Sequence, residues 1–258
     1  MSLQEQRREY LIRLLIEERE DGGEIDMPAN AGEQKRLLRG LMNIRPAWPA
    51  SPEFLQVQDA YLQEEIASKG IVSLSGLTQM EPGIYLWQGD ICTLQCDAIV
   101  NAANSGLTGC WAPNHMCIDN CIHTFAGVQL RLKCDSIMKA QGHPEPTGKA
   151  KITPAYNLPC KYVLHTVGPI VKGEPGLGDA HLLTSSYQSC LELAEQNGVE
   201  SLAFCCISTG VFGYPNKAAA EVAVQTVRKH LRSVNSNMKV VFNVFKDIDA
   251  RIYQQLLR

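Results

Sequence analysis

A cluster of thiol and imidazole side chains lies within eight positions of the chain. Cys110, His115 and Cys117 follow the pattern C-x4-H-x-C in the stretch NAANSGLTGCWAPNHMCIDNCIH, residues 101–123. Two thiolates and an imidazole are ligands that zinc prefers, and a structural zinc site normally has four protein ligands. Because this stretch offers a compact set of three, it favours an open, catalytic type of site. The alternative is chance proximity of core cysteines in a chain that contains ten.

The same stretch carries amide and carboxylate side chains. Asn101 and Asn104 end the run DAIVNAAN, and an amide offers both donors and an acceptor to ribose hydroxyls or to an ordered water. The alternative is that the two asparagines bracket a turn. Asp119 is the carboxylate nearest to the cysteines and is suited to orienting a ligand or a water. Its structural alternative is a favourable charge in the first turn of a helix.

A glycine-containing loop later in the chain has features of an anion site. ISTGVFGYPN, residues 207–216, follows an apolar run, and Gly210 and Gly213 permit a positive φ that lets backbone N–H groups approach a ligand. This arrangement suits a diphosphate, although a tight turn without a ligand would have the same composition.

A second glycine-containing stretch, GHPEPTGKA at residues 142–150, is not a P-loop, because five residues separate its glycines and Ala150 replaces the magnesium-binding hydroxyl.

The elements that position these residues begin with a helical segment. An apolar stripe of Tyr10, Leu11, Leu14 and Leu15 predicts an amphipathic helix, which Gly22-Gly23 is expected to end. Ser51-Pro52-Glu53 supplies an N-cap and a first-turn proline for a further helix, which should stop near Gly70. We therefore expect an N-terminal helical extension over residues 1–72.

From about residue 71 short β-branched or aromatic runs alternate with helical stretches, which predicts a three-layer α/β domain over residues 73–258. The expected strands are GIYLWQG, CDAIVNAA, CKYVLHTVG, SLAFCCIS and MKVVFNVF, and the expected helices are 180–197, 216–234 and 247–258. Several strands are apolar without alternation, as expected when both faces of a sheet are covered. Ligands in such folds bind beyond the carboxyl ends of the strands.

Composition excludes several classes of protein. The chain has 258 residues, 45% hydrophobic and 20% charged, which is typical of a globular protein, and no stretch approaches the roughly 20 apolar residues of a membrane helix. The net charge of −3 does not favour nucleic acid as a partner. The N-terminal residues lack the pattern of a signal peptide, so we expect a cytoplasmic protein with no membrane partner. Most of the cysteines are expected to be reduced, and five to lie in the core: Cys92, Cys134, Cys190, Cys205 and Cys206.

Taken in order, GDI, DAIVNAAN, IDNCIHTFAG, TGKAKITPAYNLPCKYVLHTVGP and ISTGVFG resemble the macrodomain family of ADP-ribose binders and hydrolases, from about residue 80 to 258. The common hydrolase type has a glycine-rich run after NAAN. This chain has GCWAPNHMCIDN there, which resembles a zinc-containing microbial branch of protein-ADP-ribose hydrolases, as does the helical segment before it. The resemblance implies a three-layer α/β/α fold with a mixed central sheet, and Zn²⁺ as cofactor.

The resemblance also implies a role for each matching residue. Asp90 would accept a hydrogen bond from the adenine amino group, with the Ile91 backbone nearby, and Phe245 is the expected adenine-stacking aromatic. Asn104 and Asp119 would be catalytic, Asn104 would face the distal ribose and Asn101 would support its loop. The zinc ligands would be Cys110, His115 and Cys117. The diphosphate loop would comprise Ser208, Thr209, Gly210, Val211, Phe212, Gly213 and Tyr214.

The function implied is zinc-dependent removal of ADP-ribose from mono-ADP-ribosylated protein side chains. The expected partners are ADP-ribose and an ADP-ribosylated protein, and the resembling branch suggests a lipoyl-carrier protein modified by a sirtuin-type transferase. Two alternatives stay open at this point. One is a non-catalytic reader of ADP-ribose, and the other is a hydrolase of a metabolite such as O-acetyl-ADP-ribose.

Overall fold

The computed structural model describes residues 2–19 and 25–258. In chain order, the helices of these ranges are α1 (Leu3–Glu17), α2 (Ala31–Ile44), α3 (Pro52–Lys69), α4 (Ile118–Ala126), α5 (Val128–Gln141), α6 (Leu177–Gln196), α7 (Asn216–Ser233) and α8 (Asp247–Leu256). The strands are β1 (Val72–Ser73), β2 (Thr78–Glu81), β3 (Ile84–Gln88), β4 (Leu94–Ala102), β5 (Ala150–Pro154), β6 (Cys160–Thr166), β7 (Ser201–Phe204) and β8 (Lys239–Val244). None of these helices is long and apolar enough to cross a bilayer.

The central sheet is mixed, as expected. Its strand order is β2-β3-β8-β7-β4-β6-β5, and β1 pairs with the start of β4. The pairs from β3 to β6 are parallel, whereas β2 and β5 lie antiparallel at the two edges. The carboxyl ends of β3, β8, β7, β4 and β6 therefore meet along one edge of the sheet, in that order.

Helices cover both faces of the sheet and complete the three-layer fold. Helices α4 and α5 lie in the connection from β4 to β6, whereas α6 and α7 follow β6 and β7, where the chain returns across the sheet in the opposite direction. Because crossovers between parallel strands are right-handed as a rule, the two pairs of helices belong on opposite faces. Helix α8 contacts α7, β3 and β8. The central strands are buried along most of their length, since both faces are covered.

The five predicted strands and the three predicted C-terminal helices are confirmed, with end shifts of a few residues. The sequence did not indicate β1, β2 or β5. Strand β2 has the polar sequence TQME and is largely accessible at an edge, so it lacks an apolar pattern. Strand β5 ends in Pro154, a residue found mainly at sheet edges.

The N-terminal helices have the predicted capping signals. The Ser51 hydroxyl accepts a hydrogen bond from the Phe54 N–H, Pro52 begins α3, and Gly70 ends the helix with a φ of 86°. Ser2 and Glu5 form a capping box at the start of α1. Helix α1 ends at Glu17, and the predicted stop at Gly22-Gly23 lies outside the described residues.

The helical extension has a hydrophobic cluster of its own beside the main core. The cluster includes Leu11, Leu15, Leu38, Leu41 and Phe54, and it also takes in Val128 of α5. The main core is formed largely by the sheet and its flanking helices, but Ile66 of α3 belongs to it. Burial of such side chains stabilises a fold by about 1.5–3 kcal/mol each. The division into domains at residue 72 stays a prediction.

Candidate functional site

The carboxyl end of the central strand β4 carries Asn101 in a fully buried position. Its backbone lies opposite His165 of β6 in the parallel register. Asn101 Nδ2 donates to Asp119 Oδ1 at 2.7 Å and lies 3.2 Å from His165 Nδ1. A strand residue, a residue of the neighbouring strand and a residue of α4 are thereby joined in one hydrogen-bonded group.

Asn104 fixes the loop that follows β4. Its Nδ2 donates to the Gly109 carbonyl at 3.0 Å and to Asp119 Oδ2 at 3.2 Å, and its Oδ1 accepts from the Gly106 N–H at 2.9 Å. Both predicted catalytic residues, Asn104 and Asp119, are therefore in direct contact. Asn104 is partly accessible at the edge of this loop.

The Asp119 carboxyl lies in the first turn of α4 and is almost completely buried. Burial raises its pKa to about 6, and the amides of Asn101 and Asn104, together with the charge of Arg131, oppose that rise. An aspartate with a pKa near 6 is a better proton acceptor than a surface aspartate and is still ionised at neutral pH. This environment suits a general base.

Two buried histidines lie behind this carboxyl. Burial lowers the pKa of His165 to about 3 and that of His123 well below its ordinary value, so both rings are neutral. The Nε2 atom of His165 lies 3.0 Å from Thr153 Oγ1 and 3.8 Å from Cys134 Sγ. Although His123, Cys134 and His165 are close enough to share an ion, both ring nitrogens of His165 already contact side chains of the protein. We interpret this cluster as the scaffold beneath Asn101.

The predicted metal ligands come together in the loop before α4. The ligand atoms of Cys110, His115 and Cys117 all lie within 4.8 Å of one another, and Cys110 Sγ is 3.6 Å from His115 Nδ1. Cys117 also caps α4, since its Sγ accepts from the Asn120 N–H at 3.4 Å. Burial, and then the neighbouring Cys110, raise the pKa of its thiol to about 12. The donor set and its compactness fit a zinc ion with an open position.

The predicted diphosphate loop follows β7 at the same edge of the sheet. Ser208 has a φ of 65° and Gly213 one of 72°, and the Tyr214 N–H bonds to the Ser208 carbonyl at 3.0 Å to close the loop. Within the described chain, no hydrogen bond uses the N–H groups of Gly210, Val211 or Phe212. Free backbone donors in a turn are suited to binding an anion.

Gly168, just beyond β6, packs directly against this loop. A Cβ atom at Gly168 would collide with Ser208 Oγ and lie 2.6 Å from Ile207 Cγ2, so any larger residue there would displace the loop. Gly168 lies in the run CKYVLHTVG, where no signal in the sequence indicated a role for it.

The predicted adenine residues lie at the ends of two neighbouring strands. Asp90 follows β3, where its Oδ1 accepts from the Cys92 N–H at 3.0 Å and its Oδ2 is 3.0 Å from Lys69 Nζ. Ile91 is buried in the following turn. Phe245 follows β8, the parallel neighbour of β3, and its side chain is 74% exposed. An accessible aromatic ring after β8 and an acidic side chain after the neighbouring strand β3 suit a purine base.

Asn120 was not predicted as a site residue. It is fully buried, and its Nδ2 donates to the Ala112 carbonyl at 3.0 Å and to the Cys110 carbonyl at 3.4 Å. The only signal in the sequence is an amide next to Asp119, which does not distinguish a loop anchor from a surface residue.

Comparison with known proteins identifies the fold. The Macro domain family model matches residues 100–223. A protein-ADP-ribose hydrolase of Treponema medium is 57% identical over 258 residues, which cover 98% of this chain and 99% of the relative. The chain belongs to the macrodomain family. A protein-ADP-ribose hydrolase of Staphylococcus aureus (strain MSSA476) is 50% identical to this macrodomain over 251 residues, with 96% of this chain and 94% of the relative covered.

Solved structures agree with this assignment. A Trypanosoma brucei macrodomain in complex with ADP-ribose superposes on this macrodomain with a TM-score of 0.67 and 30% identity, covering 82% of this chain and 92% of that one. An Oceanobacillus iheyensis macrodomain with ADP gives a TM-score of 0.62 and 34% identity, covering 70% and 93%. The predicted three-layer macrodomain fold with N-terminal helices is therefore confirmed.

Proposed function

We propose that this macrodomain is a zinc-dependent hydrolase that removes ADP-ribose from mono-ADP-ribosylated protein side chains. The observation that carries the proposal is the order of the site residues along one edge of the sheet. Asp90 and Phe245 follow β3 and β8, the Ser208–Tyr214 loop follows β7, and Asn104 follows β4. Adenine, diphosphate and distal ribose occur in this same order in ADP-ribose. The names of the relatives and the ADP-ribose complex support the substrate class.

In this proposal, the residues at the two ends of the cleft have different tasks. Asp90 accepts a hydrogen bond from the adenine amino group, beside the Ile91 backbone, and Phe245 stacks on the base. The free N–H groups of the loop from Ser208 to Tyr214 bind the diphosphate.

Asn101 and Asn104 hold the carboxyl of Asp119 at the distal ribose, so that the substrate meets a fixed proton acceptor.

Cys110, His115 and Cys117 would hold the zinc ion. When bound, zinc supplies a Lewis acid at the distal ribose. The reaction adds water to the anomeric carbon and breaks its bond to the protein side chain. A carboxylate oxygen of Asp119 takes the proton from the attacking water as the hydroxyl adds to the anomeric carbon, and that proton passes to the departing side chain. A positioned general base is typically worth about 10²–10⁴ in rate.

Replacement of Asp119 tests the catalytic part of the proposal. We expect Asp119→Ala to lower kcat for ADP-ribose release by about 10²–10⁴, because the proton acceptor is lost, with little change in the Kd for free ADP-ribose. A release assay on a modified protein and titration calorimetry measure the two quantities. The control is Asp135→Ala, which removes a surface carboxylate that pairs with Lys139. Wild-type turnover in Asp119→Ala, or binding by the wild type without release, would contradict hydrolysis by this route.

Metal analysis tests the cofactor. The purified wild type should contain about one zinc per chain, and Cys117→Ala should lose both the metal and the activity. A Cys117→Ala variant that keeps full activity after chelation would rule out a catalytic zinc.

A comparison of turnover on O-acetyl-ADP-ribose with turnover on a mono-ADP-ribosylated protein shows whether the metabolite is the preferred substrate.

We further propose a lipoyl-carrier protein, modified by a sirtuin-type transferase, as the protein substrate. The support is the resemblance of the GCWAPNHMCIDN segment to the zinc-containing branch. The release rate from such a carrier should exceed that from an unrelated mono-ADP-ribosylated protein at equal concentration. Equal rates would show that the enzyme does not distinguish the carrier.

A further inference from the structure

Helix α2 of the N-terminal extension contacts the loop that carries the three proposed zinc ligands, Cys110, His115 and Cys117. Arg39 and Asn43 are four positions apart and therefore project from one face of this helix. Arg39 Nη2 donates to the His115 carbonyl at 3.0 Å and to Asn120 Oδ1 at 2.9 Å, and it lies 3.4 Å from Cys121 Sγ. One guanidinium group therefore joins the loop to α4.

Asn43 holds a second point of the loop. Its Oδ1 accepts from the Asn114 N–H at 2.9 Å, and its Nδ2 donates to Thr124 Oγ1 of α4 at 2.9 Å. Asn114 has a φ of 58°, a left-handed conformation that residues other than glycine seldom adopt. The hydrogen bond that the buried Asn43 accepts from the Asn114 N–H stabilises that conformation in the residue directly before His115.

The backbone of α2 also approaches the loop closely. A Cβ atom at Gly40 would lie 3.1 Å from Asn114 Nδ2 and 3.8 Å from Pro113 Cβ. Hydrogen bonds with Asn120, Arg39 and Asn43 fix the loop backbone at four positions: Cys110, Ala112, Asn114 and His115.

We infer that Arg39 and Asn43 are positioning residues for the metal ligands, so that the N-terminal extension forms part of the metal centre. The inference rests on the proposed zinc site. Neither side chain contributes a ligand; each holds the loop backbone in the shape that brings the thiols and the imidazole together. Loss of groups that orient metal ligands typically lowers metal affinity by about 10–100-fold.

Zinc affinity, measured by competition with a chelator on the full-length protein, tests the inference. Arg39→Ala and Asn43→Ala should each weaken zinc binding by about tenfold or more. Arg39→Lys should recover only part of the loss, because an ammonium lacks the planar fork of arginine. Arg36→Ala, which removes an exposed arginine of the same helix, is the matched control and should bind zinc like the wild type.

Affinity for ADP, which lacks the distal ribose, separates positioning from general damage to the fold. The expected result is weaker zinc binding with an unchanged Kd for ADP by calorimetry. Zinc affinity of wild-type strength in both alanine variants would overturn the inference and leave the proposed zinc site intact. Parallel loss of zinc and ADP binding in both variants would also overturn it, because it would indicate a merely structural role. A wild type that binds no zinc would instead overturn the proposed function.

Discussion

At the scale of single residues, the site depends on Asn101. This amide lies between the Asp119 carboxyl and the His165 ring. Because its neighbours are buried, the carboxyl has a raised pKa and the ring a lowered one. Both shifts follow from the same cause, since burial disfavours the charged form of either group. The protein therefore has a carboxylate that accepts protons readily beside an imidazole that does not.

The neutral state of His165 predicts a specific dependence of stability on pH. Its pKa is about 3 in the folded protein, against about 6.5 for an unperturbed histidine. Between these values the unfolded chain binds a proton that the folded chain does not, so the free energy of unfolding falls as the pH drops below about 6.5. At pH 5 the loss from this residue is about 2 kcal/mol.

Urea denaturation of wild type and His165→Gln at pH 8 and pH 5 measures this loss. The variant should lose about 2 kcal/mol less than the wild type between the two values. His181→Gln, which removes an exposed histidine, should follow the wild type. If the free energy of unfolding depended on pH identically in wild type and His165→Gln, His165 would bind its proton equally well in the folded and the unfolded chain.

The sequence was informative about residues whose chemistry is visible in a short segment. Cys110, His115 and Cys117 were grouped from spacing alone, and the structure brings their ligand atoms together. Arg39 and Asn120 were not foreseen, because 81 positions separate the partners of their hydrogen bond. A contact of this kind depends on how α2 docks, which no local pattern encodes.

At the scale of elements, the loop between β7 and α7 has a shape that depends on Gly213. This residue has a φ of 72°, and a Cβ atom there would lie 2.8 Å from the Val171 carbonyl oxygen. We therefore expect Gly213→Ala to destabilise the protein by about 1–3 kcal/mol and to weaken ADP binding as the loop shifts. Thermal unfolding and calorimetry measure the two effects.

Gly210→Ala is the matched control for stability. No atom lies within 4 Å of the position its Cβ would take, and its φ lies outside the left-handed range. Its melting temperature should equal that of the wild type. Equal melting temperatures for Gly213→Ala and the wild type would show that the loop tolerates a side chain at both glycines.

The elements foreseen from the sequence are those whose burial is complete. Strands β4, β7 and β8 are apolar runs in the centre of the sheet, and the cap at Ser51 marks the start of α3. The short or polar strands at the periphery, such as β2, are defined by pairing with a neighbour rather than by their own side chains. The β-propensity of their individual residues therefore says little about where such strands form.

At the scale of the whole molecule, Arg131 of α5 connects the helical extension to the α/β layers. Its buried guanidinium donates to the Arg45 carbonyl at 2.6 Å, to the Met42 carbonyl at 3.2 Å and to the Thr108 carbonyl at 2.7 Å. It also lies 4.1 Å from the centre of the Trp111 ring. One side chain thus contacts the end of α2 and the segment that leads to the loop carrying Cys110, His115 and Cys117.

Removal of this side chain should weaken the whole assembly. We expect Arg131→Met to lower the free energy of unfolding by about 2 kcal/mol, because buried carbonyls lose their donor. Urea denaturation measures the change. Lys133→Met, an exposed position on the same helix, is the control and should have little effect. A variant as stable as the wild type would indicate that these carbonyls find other donors.

We propose that residues 1–72 form a helical extension of a macrodomain that spans residues 73–258. The hydrophobic cluster of α1, α2 and α3 supports this division, although Val128 of α5 belongs to that cluster and Ile66 of α3 to the main core. The apolar stripe predicted for α1 supplies Leu11 and Leu15 to this cluster, whereas no signal in the sequence marked α2 individually.

The contact between α2 and the loop that carries Cys110, His115 and Cys117 limits how this loop can be transferred to another macrodomain. The loop is mostly accessible and follows a buried strand, so its sequence can change without disturbing the sheet. A loop transplanted alone into a simpler macrodomain would arrive without Arg39 and Asn43, which hold its backbone. A protein engineer who moves this loop must therefore move α2 with it.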